Sequence, residues 1–151
     1  MKQQPPLQVG EVFEGPSKTL TDAHFLLFSG VTGDVHPLHY DIEYAKQTRF
    51  GKPVAHGLLL ASLTAFGAST GRDRCEGFIF HEQGCRFLKP AFVGDTLRPR
   101  LEVERLWQEG HKRFCRLKTT LLDQHGEALI DGFHIYRILE AAPPAPASTP
   151  A

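Results

Sequence analysis

Residues 53–71, PVAHGLLLASLTAFGASTG, carry no Asp, Glu, Lys or Arg over nineteen positions. A run that long without charge either crosses a bilayer or is buried inside a fold. His56, Ser62, Thr64, Ser69 and Thr70, with Gly57 and Gly67 among them, suit hydrocarbon poorly. The better reading is a helix buried in a soluble protein. From Gly57 onward, Leu58, Leu59, Leu60, Leu63 and Phe66 cover most of a helical circumference and no charge marks a wet side. The pattern predicts a helix of about thirteen residues spanning roughly 20 Å, enough to cross the centre of a small domain. The remainder of the chain then has to wrap it.

The second half has the period for that. In TLRPRLEVERLW, Leu97, Leu101, Val103 and Trp107 alternate with Arg98, Arg100, Glu102 and Glu104. In FCRLKTTLL, Cys115, Leu117, Thr119 and Leu121 face one way, with Arg116 and Lys118 opposite. ALIDGFHIYRIL closes the run, and turns fall at Glu109-Gly110 and at residues 123–126, DQHG. Alternation between such turns predicts an antiparallel meander with one wet face. A further strand is expected over residues 78–88, before Lys89-Pro90, and one near residues 11–13. Thr21 or Asp22 can cap a helix running to about Val31, and Asp41 a short helix through IEYAKQT, with Glu43 near its positive end. The fold class is therefore α+β, one buried helix wrapped by a curved antiparallel sheet.

At 151 residues this reads as one domain, residues 1–140, followed by a flexible Pro/Ala-rich tail, residues 141–151. Seventeen basic and seventeen acidic residues balance, with no basic stripe or amphipathic polybasic helix, so neither nucleic acid nor a membrane surface is an expected partner. Charge does nothing to hold copies apart, which favours an oligomer. Cys75, Cys85 and Cys115 are odd in number and lack CxxC spacing, which argues against a disulfide framework or a zinc ribbon and fits a reducing compartment, the cytoplasm. The start, MKQQPPLQVGEVFEG, has no apolar segment after its lysine and does not read as a signal peptide.

Chemistry concentrates in GVTGDVHPLHYD, residues 30–41, where Gly30, Gly33 and Pro37 break regular structure around Asp34, His36 and His39. GDVHPLHYD, then GKPVAHGLLLAS, then FLKPAFVGDTL, in that order and spacing, resemble the MaoC-like (R)-specific enoyl-CoA hydratases. The resemblance runs from about residue 28 to 97. It implies the hot-dog fold, a homodimer or dimer-based assembly, and reversible hydration of trans-2-enoyl-CoA thioesters to (R)-3-hydroxyacyl-CoA. Such a reaction needs a base for the attacking water, an acid for the α-carbon and a donor for the thioester oxygen. By resemblance, Asp34 and His39 are the catalytic pair, with the division of acid and base between them left open. Gly57 opens the buried helix, so its N–H is unpaired within the helix and a carbonyl can approach it closely; by resemblance it serves the oxyanion hole.

Two positions depart from the family pattern. His36 stands where Asn is usual, before Pro37, and Ile42 where Pro is frequent. Asn caps and tolerates unusual backbone angles more readily than His. His36 also opens a rival reading, a divalent metal held by His36, His39, Asp34 and His56, although the spacing matches no helical metal motif. Ser62 could help the site, or bond the preceding turn. Other readings of the chain are a hot-dog thioesterase and a non-catalytic acyl-binding subunit. No Gly-rich dinucleotide loop is present, so no redox cofactor is implied, and CoA enters as part of the substrate. Arg49, Lys52, Arg86 and Lys89 could meet its phosphates, and Phe66 could either shorten an acyl pocket or pack as core.

Overall fold

The computed structural model describes residues 5–74 and 77–139; the expected tail and Cys75 lie outside them. In chain order the strands are β1 (Val12–Glu14), β2 (Lys18–Thr19), β3 (Phe78–Phe87), β4 (Thr96–Glu109), β5 (Lys112–Leu122) and β6 (Ala128–Ile138). The helices are α1 (Asp22–Thr32), α2 (Ile42–Lys46) and α3 (Gly57–Ser62). The sheet order is β1-β4-β5-β6-β3, with β2 also on β4, and each pairing is antiparallel. The meander β4-β5-β6 is thus consecutive, while β3 crosses over to close the far side against β6. No helix among the described residues is long and apolar enough to cross a membrane.

The inner face of the sheet packs on the charge-free stretch. Leu59 and Leu60 of α3 share a core with Phe25 of α1 and with Leu97, Leu121, Leu129 and Ile130 of the sheet. Burial of each such side chain contributes about 1.5–3 kcal/mol. A second cluster gathers Phe13, Leu101, Val103, Cys115, Leu117 and Tyr136 around Phe66, which packs as core.

Within that stretch, α3 is six residues and not thirteen. The Ser62 hydroxyl donates to Leu59 O at 2.7 Å and the Thr64 hydroxyl to Ala61 O at 2.7 Å. Such back-bonding competes with the helical ladder. Ala65 then turns extended, at φ −57° and ψ 122°, and a single 3₁₀ turn at Phe66–Ala68 carries Phe66 into the core. The apolar circumference is also incomplete: Leu58 is 67% exposed.

A second difference lies in β4. A bulge between Val103 and Arg105 shifts the register, so Leu106 opposes the inward Cys115 while Trp107 opposes Phe114 on the outer face. There the two rings stack at 5.2 Å. One extra residue in a strand reverses the parity of all that follow, which places Trp107 opposite to the expected side.

Candidate active site

α1 ends where Gly33 takes φ 77° and its N–H bonds Ser29 O at 2.8 Å. This left-handed cap releases the chain directly into Asp34. The Asp34 N–H is received by the Thr32 hydroxyl oxygen at 3.2 Å, and Asp34 Oδ1 lies 3.4 Å from the His36 N–H. His36 then caps the 3₁₀ turn Pro37–His39, its Nδ1 accepting the Leu38 N–H at 3.2 Å. Its backbone angles, φ −62° and ψ 131°, are ordinary for any residue. The imidazole nitrogen thus takes the acceptor role that an Asn side chain would fill. Asp41 caps α2 as expected, accepting the Tyr44 N–H at 2.9 Å.

The short turn swings His39 inward, where residues 54–56 meet it. Val54 N–H bonds Leu38 O at 3.2 Å and Ala55 N–H bonds Ala91 O at 2.8 Å, so this segment is stitched on both sides. His39 Nδ1 lies 2.7 Å from Val54 O. A carbonyl only accepts, so Nδ1 carries the hydrogen and the neutral ring presents a bare Nε2 lone pair. That is the tautomer a proton acceptor for water needs.

His56 lies face to face with His39, the ring centroids 3.7 Å apart and the planes 22° from parallel. It is 2% exposed. Its Nε2 reaches Ser29 Oγ at 3.2 Å and the Asp34 carbonyl at 3.3 Å, while Nδ1 is buried without a partner among the described residues. An orphaned buried acceptor costs ~1–3 kcal/mol. Burial first, and then His39, hold the His56 imidazole below the usual histidine range, against the opposing pull of Asp34.

Asp34, His39 and His56 therefore converge, each offering a ligand atom within 4.8 Å of the others. His36 does not join them: its Nδ1 faces the Leu38 N–H, and its ring centroid lies 6.3 Å from that of His39. Metal binding fits this trio poorly: imidazole lone pairs lie in the ring plane, and two rings stacked face to face cannot both aim theirs at one ion.

Gly57 follows His56 at the first position of α3, where a backbone N–H has no intrahelical acceptor. A side chain there would bring a Cβ within 3.3 Å of the Phe87 ring. Gly57 lines a groove of about 290 Å³ with Phe87, Leu88, Arg49 and Lys89. A second cleft of about 600 Å³ opens beside His39, walled by Phe25, Leu26, Tyr40, Ile42, Pro53 and Val93, with Lys52 and Asp22 also on it. Arg86 lies away from both, in a hollow with Glu104, Arg116, Lys118 and Asp131. Ser62 is exposed and bonds its own preceding turn. The residue that sequence reasoning undervalued is His56. Its signal was an imidazole inside a charge-free run, where a buried polar ring has to find partners.

A MaoC like domain matches residues 5–124 of the chain. The (R)-specific enoyl-CoA hydratase of Aeromonas caviae is 32% identical over 123 residues, 81% of this chain and 89% of that one. The (R)-specific enoyl-CoA hydratase of Rhodospirillum rubrum is likewise 32% identical, over 126 residues, 81% of this chain and 85% of the other. Among solved structures, the (R)-hydratase from A. caviae involved in PHA biosynthesis aligns with a TM-score of 0.77 and 31% identity, covering 88% of this chain and 98% of that one. This chain belongs to the MaoC-like domain family, and its sheet wrapped about a helix is the hot-dog fold.

Proposed function

We propose that the protein catalyses the reversible hydration of trans-2-enoyl-CoA to (R)-3-hydroxyacyl-CoA, with Asp34 and His39 acting together on one water. The observation that carries this reading is the convergence of the Asp34 carboxylate with a His39 ring whose Nδ1–H is spent on Val54 O. Membership of the family, with two (R)-specific enoyl-CoA hydratases among its similar members, supports the reaction class.

In the forward direction the pair takes a proton from water as its oxygen bonds the β-carbon, and returns a proton to the α-carbon. Hydrogen and hydroxyl are added and the pair ends in its starting state. Negative charge gathers on the thioester oxygen during attack, and the Gly57 N–H is the donor assigned to it. Its groove is lined in part by Arg49 and by Lys89, which pairs with Glu127, and these cations are assigned to the CoA phosphates, while the apolar cleft beside His39 suits an acyl chain. The reaction needs no redox cofactor, and the cytoplasm is the compartment assigned to it.

We further propose a homodimer. β3 ends the sheet order with one edge unpaired among the described strands, and Ile79, Phe80 and Phe87 on it are about half exposed. Pairing two such edges across a two-fold axis covers both.

The test of the reaction is turnover by Asp34→Asn, His39→Gln and the double variant, followed by loss of enoyl absorbance with the thioester intact. Acid–base groups contribute about 10²–10⁴-fold each, and groups sharing one water should not add in the double variant. Free thiol release in place of hydration would identify a thioesterase. Single variants within a few-fold of the parent would exclude the pair.

A further inference from the structure

We propose that His56 is a positioning residue for this reaction: its ring presses His39 into the orientation that leaves Nε2 free, and its own Nε2–H anchors the backbone of Asp34. The inference rests on the reading of Asp34 and His39 as the catalytic pair.

Three contacts made by one short segment carry it. Val54 O takes the His39 Nδ1–H at 2.7 Å, fixing the edge of that ring. Two residues on, the His56 ring covers its face at 3.7 Å. The His56 Nε2 sits 3.3 Å from the Asp34 carbonyl, which can only accept, so the hydrogen of His56 is on Nε2. Ser29 Oγ, at 3.2 Å, ties the same nitrogen to α1. The backbone of His56 also accepts the Leu60 N–H at 3.2 Å, opening the helix on which Gly57 stands. Asp34, His39 and Gly57 are thereby registered against one another through a single residue.

A purely structural role does not account for the choice of imidazole. The clamp on Asp34 consumes Nε2–H and strands Nδ1 in the interior, a cost that an apolar ring at the same place avoids. Phe25 and Phe28 already surround His56 with aromatic rings, at 6.1 and 5.0 Å, and would pack a phenylalanine well. Among the described residues, the titratable groups that face His56 are Asp34 and His39; α1 presents Phe25, Phe28 and Ser29, none of them charged. A neutral plate against His39 lets that ring gain and lose a proton without a second cation stacked upon it, and burial keeps His56 neutral.

The test has three arms. Nitrogen-15 NMR of the histidines in the parent protein should show His39 as the Nδ1–H tautomer and His56 as the Nε2–H tautomer; His39 protonated on Nε2 overturns the proposal whatever the variants do. His56→Phe keeps the plate and loses the clamp, and His56→Gln keeps an N–H and loses the plate. Each should lower kcat by about 10–100-fold with KM within about three-fold of the parent, as expected when reacting groups are displaced by a fraction of an ångström to an ångström. The pH–rate profile, whose limbs belong to the pair jointly, should move in both. Folded variants that keep the parent's kcat and pH profile overturn the proposal. Asp34→Asn and His39→Gln run alongside: if these lose turnover while the His56 variants do not, only the positioning role fails. If they too stay active, the catalytic pair fails and the positioning role with it.

Discussion

Lowering the pH should destabilise this fold through one interior histidine, His134. It lies on β6, 4% exposed, with Leu117 and Gln83 as its cross-strand partners. The Thr64 hydroxyl is committed to Ala61 O, so at 3.2 Å its oxygen accepts from His134 Nε2–H. Nδ1, at 3.4 Å from the Tyr136 hydroxyl, is left as an acceptor. The neutral ring is thus satisfied on both sides, and a charged one would have to sit desolvated in the core. Burial pushes its pKa from the usual 6.5 down to about 4.

The folded value lies below the unfolded one, so between them the unfolded chain holds more protons. The stabilisation is complete above the unfolded value and is lost as the pH falls toward the folded one. Each unit of difference amounts to about 1.4 kcal/mol, so moving from pH 7.5 to pH 5 removes about 2 kcal/mol. In a chain of this length that is about 4–8 °C in Tm. His56 acts in the same direction, so the comparison has to be with His134→Gln, which can still donate to Thr64 and accept from Tyr136 but does not titrate. Urea or thermal unfolding at fixed protein concentration should show the parent losing about 2 kcal/mol more than the variant over that interval. Parallel pH dependences for the two proteins would refute the assignment.

His36→Asn should remain active within a few-fold, because an Asn oxygen can take over the Leu38 N–H; kcat/KM across enoyl chain lengths will show any change in preference, and abolished turnover in a folded protein contradicts the capping role. Gly132→Ala should lower stability by about 1–3 kcal/mol, read in urea, because its Cβ would stand 2.5 Å from Gly84 O, a backbone atom of the paired strand that cannot swing aside. Sedimentation at micromolar concentration should show twice the 16.8 kDa chain mass, and a single species at 16.8 kDa would exclude the β3 edge pairing.

The sheet was legible where a side chain's neighbours in sequence decide its face. Leu97, Leu101, Val103, Leu117, Thr119 and Leu121 are all buried as their alternation requires. Legibility stopped at the β4 bulge, because nothing in EVERLW announces an extra residue and every later position changes side. The placement of β3 beside β6 was equally silent, since pairing across forty or more residues leaves no local trace. The length of α3 failed for a different reason. Apolar periodicity reports what is buried, and residues 57–66 are indeed partly packed against the sheet, but burial does not require helix. Two hydroxyls bonding backward and an extended Ala65 bury Phe66 just as well.

The site divides along the same line. Asp34, His36 and His39 fall within six positions, so Gly33, Pro37 and the side-chain caps fix their geometry locally, and the motif could be read from the string. What orients His39 is not local. Its tautomer is set by Val54, fifteen residues away, and its ring is held by His56, seventeen away. These contacts exist because residues 54–56 run extended between Leu38 and Ala91, which depends on the sheet that forms from the second half of the chain. A motif therefore supplies the side chains of the proposed pair, while their orientation is a property of the whole fold. For that reason substitutions at Val54–His56 contacts should alter the rate and its pH dependence, whereas substitution at His36, although inside the motif, should alter little.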